Sequence, residues 1–186
     1  MFPVKLSSPR LGMREFEPGD VDPLLAIYGD PLVAEHMSFE PRDRDQVTGI
    51  VDRAMKAARR PERNEYSLAG VLPGGELVAH LRLAVDIGHP LQSSGQIGFA
   101  FRADQWGRGL GGHGIQLLLR LGFEHLGLHR IWGARSPVNE RSARVMAQEG
   151  MVEEGTIRGH LKLAGGWRDS VVHSILRPEW DGQDEE

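Results

Sequence analysis

Gln105-Trp106-Gly107-Arg108-Gly109-Leu110-Gly111-Gly112-His113-Gly114 is the stretch of this sequence whose residue types best suit chemistry. Closely spaced glycines let successive backbone N–H groups converge on one point, and an anion can approach them with no Cβ in the way. A helix that begins there presents its unpaired N–H groups and positive dipole end to the same point. A phosphate or diphosphate is the natural ligand, and Arg108 is placed to add a charge-assisted contact. Three other readings compete. A P-loop needs Lys and then Ser or Thr after its last glycine, and no Lys follows here. Gly107, Gly109 and Gly112 formally satisfy Gly-x-Gly-x-x-Gly, which would suit a nicotinamide oxidoreductase. That fingerprint expects an acid about 20 residues on, and Leu128-His129-Arg130-Ile131-Trp132 contains none. The third reading is a glycine-rich turn that binds nothing.

The flanking elements must hold this turn in place. Gln96 to Arg102 reads as a strand, with Ile97, Phe99 and Phe101 alternating on one face. After the turn, Ile115, Leu118, Leu119, Gly122, Phe123 and Leu126 form the buried stripe of a helix that Gly127 stops. Arg130 to Ser136 is a strand ended before Pro137. Asn139 to Glu149 is a short helix with Ala143, Met146 and Ala147 facing inward. Upstream, Leu11 to Phe16 is a strand, and Asp20 caps a helix carrying Val21, Leu24, Leu25, Ile27 and Tyr28. Asp30-Pro31 breaks that helix. Val47, Ile50, Val51, Ala54, Met55 and Ala58 form the stripe of a second helix, whose other face of Arg53, Lys56, Arg59 and Arg60 reads as solvated. Tyr66 to Leu72 and Leu77 to Val85 read as a hairpin around Pro73-Gly74-Gly75. A loop with Pro90 follows. Thr156 to Leu163 and Asp169 to Leu176 flank Ala164-Gly165-Gly166 as a second hairpin. The order β-α-α-β-β-β-α-β-α-β-β is an α+β pattern, and the crossover at residues 112 to 136 makes two strands parallel.

The chain of 186 residues suits one domain spanning 1–186, with a core at about 9–180 and a frayed polar tail at 181–186. Its net charge of -4 argues against non-specific binding to nucleic acid or to an anionic membrane. With no cysteine, disulfides, thiolate metal sites and a Cys nucleophile are excluded. This composition is compatible with a cytoplasmic location. The start, Met1-Phe2-Pro3-Val4-Lys5-Leu6, has no apolar signal region, and no apolar run approaches a membrane span. The eight histidines suggest no metal site.

Trp106-Gly107-Arg108-Gly109-Leu110-Gly111 resembles the acyl-CoA signature Gln/Arg-x-x-Gly-x-Gly/Ala of the GNAT acetyltransferase superfamily. Trp106 stands where Gln or Arg is usual, a departure familiar in the RimJ/RimL-type branch of ribosomal-protein N-terminal acetyltransferases. Leu126-Gly127-Leu128-His129-Arg130-Ile131, Asn139 to Val145, Gly166 to Val172 and the closing Arg177-Pro178-Glu179-Trp180 are similar to that branch too. The resemblance covers roughly residues 9 to 180. It implies acetyl-CoA as co-substrate, a primary amine as acceptor, and a splayed, mostly antiparallel sheet flanked by helices. The amine would be a protein N-terminus, a small amine such as an amino acid, or an aminated antibiotic or nucleoside. Dimers are common among similar proteins. In such folds the pantetheine arm lies between two diverging strands, here Gln96–Arg102 and Arg130–Ser136. Its amides pair with the exposed strand edge like an added strand. Phe101 and Arg102 are expected to supply backbone groups there. Gly107, Arg108, Gly109, Leu110, Gly111 and Gly112 are expected to hold the diphosphate.

The reaction so implied is attack of a neutral amine on the thioester, with departure of a thiolate. It requires an oxyanion donor, expected from a backbone N–H near Phe99 to Phe101, and an acid for the thiolate. Many members of the superfamily use Tyr as that acid; Met146 occupies the position and has no proton to donate. Asn139 and Ser142, three residues apart at a helix start, offer the branch's alternative. Asn139 looks like a pantetheine hydrogen-bonder. Ser142 looks like the acid or the holder of a relaying water, unless its hydroxyl only bonds its own helix turn. The related branch often places Glu where this chain has Gln96, and an amide orients a substrate or water without taking its proton. His80 is a possible substitute, against the plainer reading of a core histidine, and His36, His113 and His160 have no assigned role. Trp106 and Trp132 either line the acyl or pantetheine groove or belong to the core. A coenzyme-binding sensor or interaction module without catalysis is the competing reading.

Overall fold

A computed structural model describes residues 3–88 and 93–181. The expected loop position Pro90, the first two residues of the N-terminal segment and the polar tail 182–186 lie outside them.

One eight-stranded sheet runs in the order β1-β2-β3-β4-β5-β6-β8-β7. Its strands are β1 (Lys5–Ser7), β2 (Gly12–Glu15), β3 (Glu65–Val71), β4 (Leu77–Val85), β5 (Ser94–Phe101), β6 (Arg130–Arg135), β7 (Val152–Leu163) and β8 (Gly166–Leu176). Among the described residues only β5 and β6 pair in parallel, and they are the strands joined by the helical crossover. That pairing runs from Ser94↔Arg130 to Ile97↔Gly133 and stops. On its other side β5 stays bonded to β4 as far as Ala79↔Phe101, and β6 stays bonded to β8 as far as Arg135↔Val171. The sheet therefore opens between β5 and β6, with one wall of the gap formed by the stretch from Gly98 to Phe101.

The helices are α1 (Val21–Tyr28), α2 (Pro31–Ala34), α3 (Arg44–Ala58), α4 (Leu110–Arg120), α5 (Glu140–Gln148) and α6 (Arg177–Asp181). Strand alternation sends Leu81, Leu83, Ile97 and Phe101 to one face, where they meet Ile115, Leu118 and Leu119 of α4. The opposite face carries Ala69 and Ala100 against Leu24 and Ile27 of α1 and Val47 and Val51 of α3. Trp106 packs against both layers. The solvated face expected for α3 is observed: Arg53, Lys56, Arg59 and Arg60 are exposed.

Several local expectations change. β1 was not foreseen, because three residues carry no periodicity; pairing Lys5 with Arg14 makes it a strand. α6 was likewise not foreseen. β5 begins two residues early, at Ser94. The crossover helix continues past α4 through a π-helical turn at Leu121–His125, and Gly127 then takes a left-handed φ of 65°. Asp20 does not cap α1 with its side chain. Its carboxylate instead accepts two bonds from Arg14, at 2.7 and 2.9 Å, and one from the Glu17 amide at 2.8 Å. Ala147 is exposed rather than inward, while Met146 is buried.

The strand-to-helix frame is held at its base by an ion pair. Arg63 donates to both carboxylate oxygens of Glu15, at 2.6 and 3.0 Å. The side chains keep 4% and 13% of their exposure. Breaking a buried pair by removing one partner leaves an uncompensated charge, which costs more than the pair itself contributes. Arg63→Ala should therefore lower the unfolding free energy by about 3 kcal/mol, and Arg63→Met with Glu15→Leu should recover most of it. Urea titration distinguishes this from an exposed pair, for which the single substitution would cost less than about 1 kcal/mol.

Candidate active site

A cleft of about 390 Å³ opens along the last residues of β5, past the end of its ladder with β6. Its floor is Phe99, Ala100 and Phe101 of β5. The Arg102 amide bonds the Val78 carbonyl at 2.9 Å, which turns Arg102 toward β4. Antiparallel alternation then turns the backbone groups of Phe99 and Phe101 the other way, onto the open edge. The Phe101 carbonyl accepts one bond there, from the Trp106 indole N–H at 2.9 Å. That bond ties the glycine turn to the end of the strand.

Gly107, Gly109, Leu110 and Gly111 form one end of the cleft. Gly107 and Gly109 hold φ of 75° and 76°, a conformation L side chains rarely adopt. Gly109 is also the N-cap of α4, so the helix's free N–H groups open at this point. Gly111 and Gly112 serve a different purpose. A Cβ on Gly111 would lie 3.0 Å from Val145, and one on Gly112 would lie 2.4 Å from the Glu149 carboxylate. Gly111 lets α4 approach α5, while Gly112 faces only the movable end of the Glu149 side chain and does not line the cleft.

The facing wall is the start of α5, with Asn139, Arg141, Ser142 and Arg144. Asn139 is the N-cap, its Oδ1 accepting the Ser142 amide at 3.0 Å. The Asn139 amide N–H groups and the Ser142 hydroxyl are left to the cleft, and the hydroxyl makes no hydrogen bond to the described residues. Arg141 lies over the Trp106 ring, 4.1 Å from its centroid. Val33, His36 and Met37, from α2 and the turn after it, close the remaining side.

The structure thus brings Phe99, Phe101, Gly107, Gly109, Leu110, Gly111, Asn139 and Ser142 around one space. It does not bring in the other expected site residues. Arg102 has its amide on Val78, and its guanidinium bonds Asp104 at 2.7 Å and Glu76 at 2.8 Å. These bonds hold the Asp104 carboxyl below its ordinary value. Arg108 is exposed outside the cleft. Gln96 sits in the paired part of β5, opposite Trp132 and Ala84, and stops short of the opening. Of the two tryptophans, Trp106 lines the cleft; Trp132 lines a separate shallow hollow beside Arg130 and Glu154. Met146 is buried under Gly133 and stays out of the cleft.

His36, Arg141 and Arg144 are cleft residues the sequence reading did not find. For the arginines a signal existed, since they share the first turn and a half of α5 with Asn139 and Ser142. For His36 none did, because it arrives from a turn distant in sequence.

His80 is a core histidine. Tyr28 Oη bonds its Nδ1, and Ser67 Oγ lies 2.7 Å from its Nε2. Burial, helped by the Arg82 charge, pushes its imidazole down to about 4 from an ordinary 6.5, and burial pushes the Tyr28 phenol up. Between those two pH values the unfolded chain takes a proton that the folded protein refuses. Stability is therefore full above about pH 6.5 and declines as pH falls toward 4, by about 3 kcal/mol. Urea unfolding at about pH 7 and about pH 4.5 should show this loss in the wild type and a smaller one in His80→Gln.

Among the described residues no helix is long and apolar enough to cross a membrane, and no group of three or more His, Cys, Asp or Glu could hold a metal ion. The model of the acetyltransferase (GNAT) domain matches residues 10–152. The uncharacterized N-acetyltransferase p20 of Bacillus licheniformis is 25% identical over 178 residues, covering 95% of this chain and 98% of its own. A GNAT-family acetyltransferase of Bacillus anthracis superposes with a TM-score of 0.83 at 24% identity, over 94% of this chain and 99% of that one. RimJ of Mycobacterium smegmatis, solved in complex with CoA-disulfide, does so at 0.79 with 23% identity, over 96% and 90%. With most of its length inside that family model and its fold shared by those neighbours, the chain belongs to the GNAT acetyltransferases, which draw their acetyl group from acetyl-CoA.

Proposed function

We propose that this enzyme transfers acetyl from acetyl-CoA to a primary amine by direct attack, with Asn139 and Ser142 serving the thioester end of the cleft. The observation that carries the reading is the open edge of β5 running into the glycine turn beside the start of α5, all within one cleft. Pantetheine is an extended chain with two amides, and an unpaired strand edge is a ready partner for it. The diphosphate is a bulky anion suited to the N-terminus of α4, where Arg141 and Arg144 supply positive charge. The sulfur then falls near Asn139 and Ser142. Asn139 offers its amide N–H groups to the pantetheine, and Ser142 offers a hydroxyl proton to the departing thiolate, directly or through a water. The Phe99 and Phe101 amides are the donors for the oxyanion. Gln96, held in the paired part of β5 between Ala84 and Trp132, stays out of this step. A protein N-terminal amine, with an ordinary pKa near 8, has a reactive neutral fraction at neutral pH. No observation favours a coenzyme-binding module without catalysis.

Calorimetry with coenzyme A and free-thiol release from acetyl-CoA across a panel of amines test the reading. Coenzyme A should bind, and at least one amine should release thiol; binding without release by any amine would sink it. Gly109→Val forces a β-branched residue into a left-handed conformation at the helix start. It should weaken coenzyme A binding about tenfold or more while circular dichroism stays that of the parent. Ser142→Ala should lower kcat by about tenfold or more with coenzyme affinity nearly unchanged, and an unaltered kcat would remove Ser142 from the mechanism.

A further inference from the structure

We propose that His36 accepts the proton released by the attacking amine, a role for which the acetyl-transfer reading above otherwise leaves no group. The residues lining the cleft include no Asp and no Glu. Its charged members are Arg141 and Arg144, whose guanidiniums stay protonated in proteins and take no further proton. Gln105, Gln148 and Asn139 are amides without useful basicity. His36 is the remaining lining side chain with a ring nitrogen whose lone pair can take a proton. It lines the cleft together with Val33 and Met37 of the same segment.

Its ring has one usable nitrogen. Nδ1 is buried without a hydrogen-bond partner among the described residues. Nε2 is therefore the atom that meets a substrate. The turn that carries the ring is fixed rather than loose. The Asp30 side chain accepts the Leu32 amide at 2.9 Å at the start of α2. The Glu35 amide bonds Pro31 O at 3.0 Å and the Met37 amide bonds Ala34 O at 2.9 Å. From β8, Arg168 reaches across to the Met37 carbonyl at 2.8 Å. The charged groups around the imidazole are Arg141 and Arg144 on α5, Arg168 on β8, and the exposed Glu35 beside it in the chain.

In the step so assigned, the amine nitrogen bonds to the thioester carbonyl carbon. The C–S bond breaks and its electron pair goes to sulfur. The surplus N–H proton passes to His36 Nε2, and the thiolate takes a proton from the Ser142 hydroxyl or its water. The imidazolium then returns its proton to solvent and Ser142 or its water regains one from solvent, so the net change is one proton from nitrogen to sulfur.

The test uses the full chain, acetyl-CoA and one accepted amine. His36→Gln should lower kcat/KM for the amine about a hundredfold or more, with calorimetric affinity for coenzyme A unchanged. The acid limb of its kcat/KM profile should also be shallower than that of the wild type, because one required deprotonation is gone. Free imidazole should restore part of the activity of His36→Ala, a rescue that a merely structural role does not allow. An active wild type whose His36→Gln variant keeps the parental rate and pH profile overturns the role of His36 alone. A wild type that binds coenzyme A and acetylates no amine overturns the acetyl-transfer reading itself, and this proposal with it.

Discussion

The unpaired edge of β5 from Gly98 to Phe101 is the constraint on which the rest of the site depends. Interior strands bond on both sides, because a buried N–H or C=O without a partner is costly. Here the parallel ladder ends at Ile97↔Gly133 while both strands keep their outer neighbours. Beyond that point each strand stays with its outer neighbour and the two diverge. β6 then leads through Pro137 into α5, and Met146 clamps that helix onto β6 at Gly133. The backbone of Phe99 and Phe101 is left facing a cleft, the edge to which the proposed pantetheine pairing is assigned. One wedge therefore accounts for both the floor and the far wall of the cleft.

Charge is sorted by the same geometry. Outside the cleft, carboxylates are matched to arginines: Glu15 with Arg63, Asp20 with Arg14, Glu76 and Asp104 with Arg102, and Glu154 with Arg130. In the last pair, hydrogen bonds from Arg130 and Ser174 hold Glu154 down to about 2; with that carboxylate largely exposed, the pair contributes little to stability. On the cleft wall, Arg141 and Arg144 meet no carboxylate among the described residues. Two cations and the open end of α4 thus face one space that contains no anion of its own, an arrangement complementary to a phosphorylated ligand.

The glycine-rich segment shows how one run of similar residues divides its labour. Gly107 and Gly109 are needed for backbone conformation, with open space where a Cβ would stand or only the end of Arg10 near it. Gly111 gives clearance against Val145 of α5 and Gly114 against Phe101 and Leu81, while Gly112 faces only the movable end of the Glu149 side chain. Helix α4 can therefore lie close enough to both β5 and α5 for its N-terminus to open into the gap.

From the residues themselves came the parts governed by local rules. Alternation marked Ile97, Phe99 and Phe101, helical spacing marked Ile115, Leu118 and Leu119, and the separation of strand, glycine turn and helix implied the parallel crossover. The pairing of Asn139 with Ser142 was legible for the same reason, since residues three apart at a helix start are neighbours in any fold. What only the tertiary structure decided was which groups are already in use and which arrive from afar. Arg102, Gln96 and Gly112 carry suitable chemistry, yet Val78, Trp132 and Glu149 claim their surroundings. His80 has the right ring but lies sealed between Tyr28 and Ser67, whereas His36 reaches the cleft from a turn far away in the chain. Spacing reports neighbours along a helix or strand, while burial and long-range hydrogen bonds are settled only when the separate elements pack together.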